Sequence, residues 1–194
     1  MSMLPLAMKL SNKPVLVVGA GRIGTGKATL LVEAGARVTM ISREQLAPLP
    51  LGLASYEARA YRRGDLTGYA LVVSATGDPA INDLIVDEAR AQGIWLNVVD
   101  DPARSDFYFT AVHRDGEVLV SVSTEGASPA LAQVIRTLIR ERLPRHLGSV
   151  ARQLRAERAA LHTSGDSTEG VDWKPRIHEL LEDGDPISGD SVLH

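Results

Sequence analysis

Gly19-Ala20-Gly21-Arg22-Ile23-Gly24 is a G-x-G-x-x-G run that directly follows four apolar residues at 15–18. A strand feeding such a run into a helix makes a seat for a pyrophosphate. The first glycine permits the tight turn, the second lets phosphate approach the backbone, the third lets helix and strand pack closely, and the helix N-terminus attracts the anion. Residues 21–27 also spell G-x-x-x-x-G-K, the pattern of a nucleoside-triphosphate loop. Ala28 follows where that loop needs a Ser or Thr hydroxyl for Mg²⁺, so the dinucleotide reading is the better of the two. The acid that holds the adenosine ribose should end the second strand, about 20 residues on. Ser42-Arg43-Glu44 stands there. Arg43 suits a 2′-phosphate and Glu44 suits a ribose hydroxyl, so these residues leave NAD and NADP even. With Thr76 beyond the fourth strand, the candidate cofactor contacts are Gly19, Gly21, Arg22, Ile23, Gly24, Ser42, Arg43, Glu44 and Thr76.

A second constellation is Asn97-Val98-Val99-Asp100-Asp101-Pro102, where a fifth strand leaves the sheet. Open α/β sheets bind ligands at the carboxyl ends of their strands, and a carboxylate there is a candidate for acid–base work. Neighbours in an extended chain point opposite ways. Asp100 is therefore taken as the catalytic candidate and Asp101 as the cap of the turn at Pro102. The hydroxyl-rich stretch Ser123-Thr124-Glu125-Gly126-Ala127-Ser128-Pro129 enters a helix whose first amides are free to meet an anion. The five histidines show no metal-ligand spacing, so no resident metal is expected.

The elements that must position these groups alternate. Strands are expected at 15–18, 37–41, 55–60, 70–75 and 94–99, with helices at 22–34 and 78–92 and glycine stops at Gly35 and Gly93. Such alternation predicts right-handed βαβ units and a parallel sheet. Beyond Asp100 the pattern changes: two strands at 106–113 and 117–123 flank Arg114-Asp115-Gly116, and amphipathic helices follow at 128–143 and 150–161. The fold class is α/β: a Rossmann-type dinucleotide domain over 1–112, a small α+β dimerisation region over 113–146, and a helical C-terminal part over 147–194. From Ser164 on there are eight acids against two bases, which predicts a loosely held tail unless Trp173, Ile177, Leu180 and Leu181 dock as one short helix.

Composition limits the partners. The 194 residues carry 21 Lys+Arg against 24 Asp+Glu, so no overall basic charge recruits nucleic acid or an anionic membrane. No cysteine is present, which excludes disulfides, zinc thiolates, iron–sulfur clusters and thiol nucleophiles and fits a reducing, cytoplasmic setting. No apolar run reaches the roughly 18 residues that a membrane span needs.

Several stretches occur together in a specific order. They are Leu4-Pro5-Leu6 before the first strand, Gly19-Ala20-Gly21 with Lys27-Ala28 in the helix, Leu31-Val32-Glu33-Ala34-Gly35-Ala36 before the second strand, the 97–102 and 123–129 stretches, and Asp106-Phe107-Tyr108-Phe109. Over about residues 1–150 the chain resembles the precorrin-2 dehydrogenase and sirohydrochlorin ferrochelatase family, the N-terminal module of siroheme synthases. The resemblance implies NAD-dependent oxidation of precorrin-2 to sirohydrochlorin, with Fe²⁺ or Co²⁺ as a further substrate in members that insert metal. It implies cofactor contacts at Arg22, Ile23, Arg43 and Glu44, catalysis by Asp100, and a place for Thr124 near the tetrapyrrole. Asn97, Arg104, Thr124 and Ser128 are the expected substrate contacts, Arg104 as a partner for substrate carboxylates. The sequence departs from the family's usual residues at Gly24, Gly26, Ser105, Thr110 and Glu125. A homodimer is expected, because the hairpin and the 128–143 helix carry more apolar surface than a lone sheet covers. The alternatives are a chelatase alone and a dinucleotide-sensing module without catalysis, which would need neither Asp100 nor the 123–129 turn.

Overall fold

The computed structural model describes residues 3–163 and 170–182, which fall into two compact units divided between Phe109 and Thr110. The first is built on a parallel sheet of five strands: β1 (Pro14–Ala20), β2 (Arg37–Gln45), β3 (Ser55–Ala58), β4 (Leu71–Ser74) and β5 (Trp95–Val98), in spatial order β3-β2-β1-β4-β5. Helix α1 (Arg22–Glu33) joins β1 to β2, and α2 (Pro79–Gln92) joins β4 to β5. The central strands are apolar without interruption because both faces are covered. Val15 and Val17 of β1, Val38 and Met40 of β2, and Leu71 and Val73 of β4 pack with Ala28 and Leu31 of α1. The alternate residues Leu16, Val18, Ile41 and Val72 pack with Ile85, Val86 and Ala89 of α2. This is the expected Rossmann-type architecture, and its strand order reverses between β1 and β4, where such sheets open a ligand crevice.

Local signals set the helix ends. Asp78 caps α2, its carboxylate accepting from the Ala80 and Ile81 amides with Pro79 in the first turn, and Gly93 closes the helix in the left-handed region at φ 66°. The outer edge of β5 is satisfied by side chains. The Leu96 amide donates to the Asp106 carboxylate at 2.9 Å and the Val98 amide to Ser105 Oγ at 2.9 Å. That explains one departure from expectation: residues 106–110 do not form a ladder strand, because side chains hold the edge that a neighbouring strand would pair.

Glu88 of α2 is buried and accepts four hydrogen bonds, from the Tyr61 hydroxyl at 2.6 Å, Gln92 Nε2 at 3.0 Å, and the Gly64 and Leu66 amides at 2.9 and 3.4 Å. Burial, together with the Glu88 carboxylate, pushes the Tyr61 hydroxyl far above its ordinary pKa and keeps it a donor. Glu88→Ala strands these donors, so a loss on the order of 3 kcal/mol is expected in chemical denaturation. A loss under about 0.5 kcal/mol would show that water replaces the carboxylate without penalty.

In the second unit, β6 (Ala111–Asp115) and β7 (Val118–Val122) form an antiparallel hairpin, and α3 (Pro129–Arg142) lies on both strands. The unit begins at Thr110, slightly ahead of the boundary expected after 112, because β6 starts at Ala111 and cannot be cut. Helices α4 (Leu147–Thr163) and α5 (Lys174–Glu182) pack together. Arg176 binds Glu157 at 2.7 Å, His146 Nε2 lies 3.3 Å from the Leu180 carbonyl, and Leu180 is buried. The part of the acidic tail at 174–182 is thus docked on α4; residues 164–169 and 183–194 lie outside the described residues.

Candidate active site

Two adjoining cavities lie along the carboxyl ends of the strands in the first unit and share Thr76. One, about 360 Å³, is lined by Gly21, Arg22, Ile23, Gly24, Thr76 and Asp100 among others. The other, about 370 Å³, is lined by Gly19, Ser42, Arg43, Glu44 and Thr76 together with Arg59, Tyr61 and Asp78. Each falls in the range of small-molecule sites, roughly 300–1,000 Å³. All nine residues named as cofactor candidates therefore line one of the two.

The glycine turn joins them. A Cβ on Gly19 would lie 2.3 Å from the Ala75 carbonyl oxygen, and one on Gly24 would lie 2.1 Å from that of Gly19, so both positions need hydrogen for close packing. A Cβ on Gly21 would meet nothing within 4 Å and would project into open space. Gly21 caps α1 with no side-chain bond, and no acid stands in the helix's first turn. An uncapped helix N-terminus beside an open glycine fits a pyrophosphate, so these residues suit a bound dinucleotide.

At the adenosine end, β2 bulges. Val18 pairs with Ile41 but Ala20 pairs with Gln45, so Ser42, Arg43 and Glu44 all stand opposite Gly19. The Ser42 hydroxyl holds the bulge by donating to the Glu44 carbonyl at 2.8 Å. The extra residues bring both Arg43 and Glu44 to the cavity. Arg43 Nη2 lies 3.6 Å from Asp78 Oδ2. Arg59 is held by Asp65 at 2.6 Å and by Glu57 at 2.7 Å.

At the other end stands Asp100. It is exposed and adopts φ 61°, a left-handed conformation uncommon outside glycine and tolerated best by Asp and Asn. Among the described residues its carboxylate accepts no hydrogen bond. Its electrostatic partner is Lys27, whose ammonium sits 4.2 Å over the Phe109 ring. Burial lowers the Lys27 pKa, and the Asp100 charge opposes that shift. Asp101 is committed elsewhere: it caps the short turn at Pro102–Arg104, accepting from the Arg104 amide, and binds Arg104 Nε at 2.5 Å.

Of the four expected substrate contacts, two belong to the first unit and two to the second. Asn97 is buried and its amide donates to the Phe107 carbonyl at 2.9 Å. Arg104 is tied to Asp101 and to Asp83 at 2.6 Å. Neither lines the cavities. Thr124 and Ser128 belong to the second unit, where the Thr124 hydroxyl bonds the Ser128 carbonyl at 3.0 Å and the Ser128 hydroxyl caps α3 at the Leu131 amide. Sequence reasoning passed over Asp78, read only as a helix opener, and Ser74 and Asn82, which bond each other at 2.6 Å in the wall of the Asp100 cavity. Their signal was position: Ser74 ends the strand beside the switch point, Asp78 stands in the turn after it, and Asn82 lies in the first turn of the helix that follows. Among the described residues no cluster of three His, Asp or Glu side chains is placed to hold a metal.

Residues 6–111 match a family model described as "Putative NAD(P)-binding". The chain is 35% identical over 203 residues to Siroheme synthase 1 of Aeromonas salmonicida, covering 99% of this chain and 43% of the relative. It is 41% identical over 154 residues to Siroheme synthase 2 of Aeromonas hydrophila subsp. hydrophila, and 40% over 156 residues to Siroheme synthase of Methylococcus capsulatus, covering 78% of this chain and 33% of the relative in each case. The chain thus spans less than half the length of these relatives. A solved structure described as "SirC, precorrin-2 dehydrogenase" superposes with a TM-score of 0.65 over 93% of this chain and 88% of its own, at 22% identity, a likeness of fold.

Proposed function

We propose, because the chain belongs to the NAD(P)-binding family, that it is an NAD-dependent dehydrogenase converting precorrin-2 to sirohydrochlorin in siroheme biosynthesis. The siroheme synthases it resembles over most of its own length support that reading. The observation that carries it is the Asp100 carboxylate, which accepts no hydrogen bond among the described residues and lines the cavity that also holds Gly21. A non-catalytic dinucleotide sensor needs no carboxylate there.

NAD⁺ supplies the hydride acceptor. Bound beside Gly21, it would take one hydride from a C–H bond of the reduced macrocycle, and one proton would leave as the ring conjugates. Asp100 accepts that proton or orients the pyrrole N–H groups, while Gly21 and the α1 amides fix the cofactor's phosphates. The same carboxylate can take the pyrrole protons that Fe²⁺ or Co²⁺ must displace, so metal insertion is the second reading, with the metal as substrate. Asn97 and Arg104 act in this account by shaping the β5 edge. Among the described residues no helix is long and apolar enough to cross a membrane, and the cysteine-free sequence fits work in the cytoplasm.

The test is incubation with precorrin-2 and either NAD⁺ or no dinucleotide, followed by Fe²⁺ or Co²⁺. Sirohydrochlorin only with NAD⁺ supports the dehydrogenase; no sirohydrochlorin, but metal uptake into supplied sirohydrochlorin, would leave the chelatase reading alone. The enzyme is expected to be a homodimer through the second unit, where Leu131, Val134 and Leu138 of α3 each stand about half exposed along one stripe. Light scattering should give twice the chain's mass, and a monomer at micromolar concentration would remove this expectation.

A further inference from the structure

Both arginines that line the adenosine-end cavity, Arg43 and Arg59, already have carboxylate partners. A site built to take the 2′-phosphate of NADP⁺ needs a free cation where the second strand ends. Here Arg43 occupies that place, but Asp78 faces it from the turn after β4, on the other side of the cavity. The Asp78 carboxylate divides its oxygens. Oδ1 accepts from the Ala80 and Ile81 amides at 3.0 and 3.4 Å and caps α2, while Oδ2 is turned to Arg43. Capping therefore needs only one oxygen, and an asparagine would supply it. Glu44 adds a further negative charge to the same cavity.

We infer that Asp78 is a specificity-determining residue: by cancelling Arg43 across the cavity, and with Glu44 beside it, it makes the site select the ribose 2′-hydroxyl of NAD⁺ over the 2′-phosphate of NADP⁺. This rests on the dinucleotide reading above. The pair is solvent-exposed, so its intrinsic strength is small. Its effect lies in where it puts charge: a 2′-phosphate would have to displace one carboxylate from Arg43 and sit close to both.

The experiment measures the Kd of NAD⁺ and of NADP⁺ by calorimetry for the full chain and for D78N, R43A and the D78N/R43A double variant, with circular dichroism to verify folding. The wild type should favour NAD⁺. D78N should lower the ratio of the NADP⁺ Kd to the NAD⁺ Kd about tenfold, equal to about 1.4 kcal/mol. R43A alone should change that ratio less than about threefold, because the charge it removes is already cancelled, while R43A placed in D78N should undo the gain. An unmoved ratio in D78N, or a large rise in R43A alone, overturns the inference and leaves the dinucleotide reading intact. A wild type that binds neither dinucleotide overturns both. Should D78N fail to fold, the R43A ratio still decides, since an arginine that serves a 2′-phosphate shows itself there.

Discussion

Asp100→Ala is expected to bind NAD⁺ within a few fold of the wild type and to lower precorrin-2 turnover by about 10²- to 10⁴-fold, the range of general acid–base catalysis. The carboxylate sits past the end of β5 in a left-handed conformation, lines the cavity of the glycine turn, and makes no hydrogen bond among the described residues. Its removal thus takes away no structural bond. Asp101→Ala should behave in the opposite way. It loses the cap on the Arg104 amide and the ion pair with Arg104, which costs stability on the order of 1 kcal/mol, while turnover stays near the wild-type value. Steady-state rates with separately measured NAD⁺ affinity distinguish the two carboxylates. Near-wild-type turnover in Asp100→Ala beside a dead Asp101→Ala would reverse the assignment.

Gly21→Val is expected to abolish measurable dinucleotide binding, a loss of at least about 10²-fold, with the fold retained. Gly21 has φ −80°, which any residue adopts, and a Cβ there meets no protein atom. The protein should therefore accept valine at this position, while its two γ-methyls would occupy the space beside the α1 amides that a pyrophosphate needs. Gly24→Val is the informative contrast. Its Cβ would lie 2.1 Å from the Gly19 carbonyl oxygen, so it should unfold or misfold the turn rather than only block the ligand. Calorimetric titration with NAD⁺ and a thermal melt of each variant separate the two effects. A Gly21→Val protein that binds NAD⁺ normally would move the phosphate seat elsewhere.

The sheet was legible in the sequence because its signal is two-sided burial. Short uninterrupted apolar runs at 15–18 and 71–73, bounded by turn residues, read as central parallel strands, and the glycine turn marks which strand begins the fold. The 106–110 segment misled because it is rich in β-formers, yet the edge of β5 is satisfied by the Asp106 and Ser105 side chains, an arrangement no periodicity encodes. Asn97 was picked from a polar position at a strand end, where an amide serves a ligand or a neighbouring carbonyl equally well; the structure turns it to Phe107. The sequence marks Asp78 only as the start of a helix, because the partner that gives it a second task, Arg43, arrives through a bulge in another strand.

The most direct test of the account mixes the protein with limiting precorrin-2 and excess NAD⁺ without oxygen and counts both products. One NADH per sirohydrochlorin from the wild type, neither product without dinucleotide, and a sharp loss of both with Asp100→Ala are the predicted results. Sirohydrochlorin formed without NADH, or at an equal rate when NAD⁺ is left out, would contradict hydride transfer at this groove and with it the central claim.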